Sequence, residues 1–245
     1  MNVHKKYESY LEDQSRFFDE LIAQEGDDYA DPSWDYSRTF EVRRLFKRLR
    51  PRTVLDIGCG RGFRDVVMAE QPSVQSVEAI DYSARSIQTA QTRHPHPKVT
   101  RQVADFATYR PAQQYDLIVS FQVFEHLNNP DAYFQFCADY CAPGGYVAIS
   151  TVNRLRLTNR LRARKGLAPA MEDAMHFREY TRGELEREGR RFGLEPFDWF
   201  GYALYSVPRL GYRQKTWGGY LLPWIASRLV VAFRKPDEIR KPGEE

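Results

Sequence analysis

The sequence predicts an α/β fold: a three-layer sandwich whose central, mostly parallel sheet carries helices on both faces. Three observations predict it. From Thr53 onward, short apolar runs alternate with segments of helical periodicity, the pattern of parallel strands joined by crossover helices. One run, Val54-Leu55-Asp56-Ile57, is apolar apart from its acid, as a strand buried on both faces must be. It breaks into Gly58-Cys59-Gly60-Arg61-Gly62, where glycines let a strand stop in a tight turn and bring backbone close to a ligand.

Each element follows from local pattern. Residues 4–25 read as a helix with a broad apolar stripe of Tyr7, Tyr10, Leu11, Phe17, Phe18, Leu21 and Ile22. A turn at Asp31-Pro32-Ser33 leads to a second helix from Trp34 to Leu49, which stops before Pro51. Its basic end, Arg43, Arg44, Lys47 and Arg48, complements the helix dipole. Residues 1–50 are expected to form a helical cap on a domain spanning 51–245. Strands are expected at 53–57, 75–81, 98–103, 115–121, 145–151, 194–200 and 228–234. Helices are expected at about 62–71, 83–93, 130–141 and 181–192. Pro143-Gly144-Gly145 supplies a reversal into the fifth strand, and right-handed crossovers leave few ways to order the sheet. No obvious helix separates the last two strands, so Leu229–Phe233 is expected to run antiparallel.

Two connections stand outside the alternation. Residues 152–175 carry the run Arg154, Arg156, Arg160, Arg162, Arg164 and Lys165, and residues 201–226 are rich in Tyr, Trp, Gly and Pro. Long connections of this kind are often lids or binding loops, and both follow strand ends at the ligand-binding edge of an open sheet. The arginine run reads as a solvated face, as a clamp for an anionic acceptor, or as a patch for anionic lipid or RNA.

Composition bounds the rest. A chain of 245 residues, 42% hydrophobic and 28% charged, builds a full core. A net charge of +3 does not favour nucleic acid. Cys59, Cys137 and Cys141 cannot form a disulfide framework and point to a reducing compartment. Cys137 and Cys141 lack a second ligand pair, so packing is expected rather than zinc. With no signal peptide and no apolar run of about 18 residues, a cytoplasmic protein is expected. A monomer or homodimer, with peripheral membrane contact left open, is in keeping with this composition.

Spacing separates two classes of ligand. A dinucleotide fingerprint starting at Gly58 requires glycine at position 63, where this chain has Phe63; its third glycine comes early, at Gly62. Asp56, inside the strand end, suits a ligand carrying a cationic amino group and a sulfonium. Asp81 closes the next strand, where a carboxylate accepts both hydroxyls of a ribose, with Tyr82 beside it. Asp105-Phe106 follows the third strand, and Phe121-Gln122-Val123-Phe124-Glu125-His126-Leu127 follows the fourth.

This ordered set resembles the class I S-adenosylmethionine-dependent methyltransferases over about 100 consecutive residues, from Val54 to Arg154. The resemblance implies a Rossmann-like seven-stranded sheet with its final strand antiparallel. It implies S-adenosylmethionine as cofactor, with no metal expected. Asp56, Gly58, Cys59 and Gly60 then form the cofactor turn, with Asp81 and Tyr82 at the ribose and adenine. Asp105 and Phe106 would meet the adenine, and Phe121 and Gln122 the methionine part. The Glu125-His126 pair and Thr151-Val152-Asn153-Arg154 look most like O-methyltransferases of the ubiquinone-biosynthesis type. His176-Phe177-Arg178-Glu179-Tyr180-Thr181 is similar to a form found among methyltransferases of sugars, lipids and natural products. A small-molecule acceptor methylated on oxygen follows. His126 and His176 are the candidate bases, and Tyr10, Arg154, Tyr180 and Tyr205 the candidate acceptor contacts. An RNA methyltransferase of the tRNA type and a non-catalytic cofactor-binding partner subunit are the alternatives.

Overall fold

A computed structural model describes residues 32–173, 175–204 and 216–237, with positions 16 and 20. The helix expected over residues 4–25, with Tyr7 and Tyr10, and the candidate Tyr205 lie outside the described residues. The chain enters through α1 (Pro32–Leu49) and alternates as β1 (Thr53–Ile57), α2 (Phe63–Ala69), β2 (Ser76–Asp81), α3 (Ala84–Arg93), β3 (Val99–Val103) and β4 (Tyr115–Phe121). After a short 3₁₀ turn at Phe124–His126 come α4 (Pro130–Tyr140), β5 (Cys141–Val152), α5 (Leu157–Arg164), α6 (Arg182–Arg191), β6 (Glu195–Tyr202), α7 (Thr216–Leu221) and β7 (Arg228–Arg234).

The strands form one sheet in the order β3-β2-β1-β4-β5-β7-β6. All pairs among β3, β2, β1, β4 and β5 are parallel. Only β7 runs the other way, antiparallel to both β5 and β6. The chain winds outward from β1 through β2 to β3, then returns to place β4 on the other side of β1, in register Val54↔Leu117. Strand order therefore reverses between β1 and β4, which is where an open sheet of this kind forms a crevice beyond its strand ends.

Strand alternation divides the apolar residues between two cores. Leu55 and Ile57 of β1 and Ile118 of β4 face one side with Tyr133, Phe134, Phe136 and Cys137 of α4. Val54, Leu117, Val119 and Phe121 face the other, against Val42, Leu45, Phe46 and Leu49 of α1. Both cysteines of α4 and β5 are buried, as packing requires.

Two expectations need correction. A short helix, α7, does lie between β6 and β7, and α5 lies within the connection after β5. α5 shows no clear apolar stripe, because the connection after β5 is organised by buried polar groups. Arg156 pairs with Glu179, both buried. Asn159, 3% exposed, donates to the carbonyls of Arg154 and Ala170 at 3.0 and 3.1 Å and accepts from Ala170 N–H at 3.0 Å. Arg228 at the head of β7 makes a two-pronged contact with Glu172, 2.7 and 2.8 Å. Hydrophobic periodicity carries no trace of such a scaffold.

Candidate cofactor site

The turn after β1 is held by the neighbouring strand. The N–H groups of Gly58 and Cys59 donate to the Ile80 carbonyl at 2.8 and 3.1 Å, and Gly62 N–H closes onto Cys59 at 3.2 Å. Gly58, Gly60 and Gly62 have φ of 78°, 54° and 77°, the left-handed region in which side chains are strained. A Cβ on Gly58 would lie 2.4 Å from Val123 Cγ2, so the loop after β4 seats directly on this glycine. A Cβ on Gly60 would meet nothing within 4 Å, so open space faces the turn there. Asp81 is fixed at the end of β2 by two main-chain donors: Gly60 N–H reaches Oδ2 and Ser83 N–H reaches Oδ1, each at 2.9 Å. Tyr82 beside it is half-buried. At the end of β3, Asp105 Oδ1 accepts from Ala107 N–H at 3.0 Å. Phe106 points into the core, 8% exposed, edge-on to Tyr133 and Phe136.

β4 ends in a second strained turn. Gln122 has φ 60°, unusual for a residue with a side chain. Its N–H donates to the Ser150 carbonyl at 2.7 Å and its amide to Ser150 Oγ at 3.3 Å. Behind it lies a buried polar cluster. Glu41 of α1, fully buried, receives Arg64 Nε at 2.6 Å, Ser150 Oγ at 2.7 Å, and the Tyr202 hydroxyl. The Arg64 guanidinium lies over the Phe121 ring, 5.0 Å from its centre.

Beneath the turn sit two buried acids. Asp65 of α2 pairs with Arg101 at 2.8 Å, and Asp56 comes up beside it from β1. Each leaves Oδ1 buried without a donor. Carboxylate oxygens only accept, so the two satisfy each other only when one is protonated. Burial, then the Asp65 charge and contact with its side chain, push the Asp56 carboxyl well above the usual range. Burial likewise pushes the Cys59 thiol up, keeping it unreactive.

A third group lies past the 3₁₀ turn. The rings of His126 and His176 meet edge-to-face, 4.9 Å between centres. Nδ1 of His126 is 3.1 Å from the Met175 carbonyl, and Nδ1 of His176 is 3.2 Å from Glu179 Oε1. Glu125, buried, takes the Thr151 hydroxyl on Oε2 at 2.7 Å. One ligand atom from each of Glu125, His126 and His176 lies within 4.8 Å of the others, an arrangement able to hold a metal ion. The sequence reading expected no metal, because these ligands come from segments about 50 residues apart. Burial holds the His126 pKa below its ordinary value, against the opposing pull of Glu125.

The structure thus places Asp56, Gly58, Cys59, Gly60, Asp81, Tyr82, Asp105, Phe121 and Gln122 at the strand ends of one sheet edge. Tyr180 is a core residue, 2% exposed, with its ring 4.9 Å from Phe124. Arg154 is engaged by Glu184 at 2.8 Å. Sequence reasoning missed Glu41, Arg64 and Asp65, and it gave Ser150 and Tyr202 no part in a buried polar cluster. Among these, Arg64-Asp65 straight after the glycine turn was the one visible signal, a pair of charges at the start of a helix otherwise facing the core.

A strand-end acid, a glycine turn opening onto space, a second acid fixed by that turn and a seven-stranded sheet with one reversed strand define a class I S-adenosylmethionine-dependent methyltransferase. Residues 36–197 match the methyltransferase domain family, and the chain belongs to it. It is 32% identical over 118 residues to a ubiquinone biosynthesis O-methyltransferase of Bordetella avium, covering 46% of this chain and 48% of that protein. A relative with the same description from Nitrosomonas europaea is 29% identical over 150 residues, 55% of this chain and 62% of that one. The chain spans about half the length of the curated relatives it matches. The fold is also that of a possible histamine N-methyltransferase from Thermotoga maritima, with a TM-score of 0.64 at 18% identity over 90% of this chain and 97% of that one. A magnesium protoporphyrin IX methyltransferase from Synechocystis, solved with S-adenosylhomocysteine, gives 0.62 at 16% identity over 90% and 95%.

Proposed function

We propose that this chain transfers the methyl group of S-adenosylmethionine to an oxygen of a small acceptor of the sugar, lipid, quinone or natural-product type. The observation that carries the proposal is the paired-histidine group, which follows the loop after β4 that seats on the glycine turn through Val123. When bound, the cofactor supplies a methyl carbon already activated by a cationic sulfur, so the protein's part is positioning and proton management. Asp81 takes the ribose hydroxyls, Asp105 the adenine edge, and the turn at Gly58–Gly60 the amino-acid end. Phe121 and Gln122 line the approach to the methyl carbon.

The acceptor hydroxyl must lose a proton as it is methylated, and His176 is the residue arranged to take it. A ring that donates through Nδ1 carries its basic lone pair on Nε2. Glu179 orients His176 and stabilises the imidazolium that forms, as an acid behind a catalytic histidine does. His126 packs against that ring and, its own pKa depressed by burial, stays neutral beside it. A second reading rests on the same atoms: a divalent cation held by Glu125, His126 and His176 would polarise the acceptor oxygen in place of a base.

One assay tests both readings. Purified protein is given labelled S-adenosylmethionine and fractionated extract, with and without a chelator, across pH. Label in a small-molecule fraction that His176→Ala abolishes while cofactor binding persists supports the base. Loss of transfer on chelation and recovery with one metal supports the cation. No transfer to any fraction, despite cofactor binding, refutes the enzymatic reading in favour of a partner subunit.

We infer further that the acceptor reaches the site from an anionic membrane surface. Leu157 and Leu161, one turn apart on α5, are 36% and 46% exposed, and Trp224 is 53% exposed. Arg160 ties the two segments together through the Trp224 carbonyl at 3.3 Å.

A further inference from the structure

Arg64 is the residue whose placement the cofactor assignment leaves unexplained. It stands in the first turn of α2, immediately after the glycines. Nε is spent on Glu41 at 2.6 Å, and that is its hydrogen bond among the described residues; the two terminal NH₂ groups make none. Its side chain is 20% exposed, and its guanidinium lies over Phe121 at the end of β4. A guanidinium offers five N–H donors in a rigid fork that matches a carboxylate. One edge is fixed by a buried acid, and the side chain keeps 20% exposure beside Phe121 at the end of β4.

The holder of that fork is equally specific. Glu41 is 0% exposed and receives three donors: Arg64, Ser150 and Tyr202. Those donors come from α2, β5 and β6, and Ser150 in turn receives the Gln122 amide at 3.3 Å. Replacing so buried a carboxylate would leave three polar groups without their acceptor. Glu41 therefore fixes the angle at which Arg64 enters the site.

Resting on the cofactor reading above, we propose that Arg64 binds the carboxylate of the cofactor's methionine end, with Glu41 as its positioning residue. The anion required at this point is small, planar and at the amino-acid end of the ligand, because Phe121 and the glycine turn bound it on two sides. Asp56 lies close enough to Arg64 to interact with its charge, so the end of β1 and the start of α2 bring an acid and a guanidinium to the same part of the sheet edge.

Two ligands isolate the interaction. S-adenosylhomocysteine carries the carboxylate, whereas 5′-methylthioadenosine shares the nucleoside and sulfur but lacks the amino-acid end. Calorimetry on the full chain should find Arg64→Met weakening S-adenosylhomocysteine by about ten- to a hundredfold, the size of a lost charged hydrogen-bond pair, with 5′-methylthioadenosine unchanged. Glu41→Gln should weaken the same ligand less, because Arg64 is still present but no longer held. If Arg64→Met is unfolded by circular dichroism, Arg64→Lys serves: it keeps the charge, loses the fork, and should show the same selectivity in smaller measure. Equal effects on both ligands, or none on either, overturn the proposal. Failure of the unmodified chain to bind either ligand would refute the cofactor reading itself, a distinct outcome.

Discussion

At the scale of single residues, the tension in this protein is concentrated in Asp56 and Asp65. Both are buried, 1% and 0% exposed, and among the described residues only Asp65 is in an ion pair, with Arg101. With the Asp56 carboxyl pushed up by burial and by Asp65, the folded state binds a proton that the unfolded chain releases at ordinary carboxylate pH. Stability from this group is present at low pH and declines as pH rises through the raised value. Asp56→Asn removes the repulsion, and its NH₂ can donate to Asp65 Oδ1. It should therefore raise the stability of the ligand-free protein at neutral pH by about 1 kcal/mol or more and flatten its pH dependence there. The same change should weaken S-adenosylhomocysteine, whose amino group loses its carboxylate. Thermal unfolding from pH 5 to 8 beside calorimetry would check it; a variant less stable than the parent throughout would count against the shared-proton account.

At the scale of elements, legibility tracked the kind of interaction that forms each one. Strands β1, β4 and β7 fall where the apolar runs place them, because burial on both faces writes itself directly into sequence. α5 and α7 did not, since polar side chains reaching distant carbonyls hold the first of them. Arg156 meets Glu179 and Asn159 meets Ala170 only after folding, and no local period encodes that. α6 shows the two kinds together. Thr181 and Glu184 form a capping box readable from the spacing, yet Glu184 also receives Arg154 and Arg178 at 2.8 Å each. Burial works to raise the Glu184 pKa, but the Thr181 N–H and hydroxyl and the two arginines outweigh it and bring it to about 2. A folded pKa below the unfolded one means stability present above the usual carboxylate pKa and lost as pH falls toward that value. Glu184→Gln should cost about 1–2 kcal/mol at pH 7 and remove part of the acid-induced loss between pH 4.5 and 2. Urea titrations at several pH values measure this, and parallel acid curves for variant and parent would show that Glu184 is not a source of acid sensitivity.

At the scale of the whole molecule, topology decides which surface an acceptor meets. β5 ends and β7 begins at the same sheet edge as the glycine turn, since β7 runs antiparallel. α5 and the turn at 222–225 therefore lie at that edge, joined by Leu157 N–H to the Ile225 carbonyl at 2.9 Å. Two residues of the arginine run that the sequence left open are now spoken for: Arg154 and Arg156 are in ion pairs. Arg160 and Arg162 donate to neutral carbonyls, so their charge is not cancelled, and among the described residues neither Arg164 nor Lys165 has an acidic partner. Exposed Leu161, Leu222 and Trp224 lie among these charges, 46%, 39% and 53% accessible. No helix among the described residues is long and apolar enough to cross a membrane, so the combination suits a surface-bound state, with apolar side chains at the headgroup boundary and arginines on anionic lipid. The chain should float with vesicles containing phosphatidylglycerol and not with phosphatidylcholine alone, and salt should release it. Each of Arg160→Glu and Arg164→Glu should lower partitioning by about fivefold or more, since a basic residue near such a surface contributes about 1 kcal/mol. Leu161→Ser should weaken binding without changing its salt dependence, which separates the apolar contribution from the electrostatic one. If the chain binds neutral and anionic vesicles equally, or neither, the acceptor comes from solution and the exposed leucines have another partner.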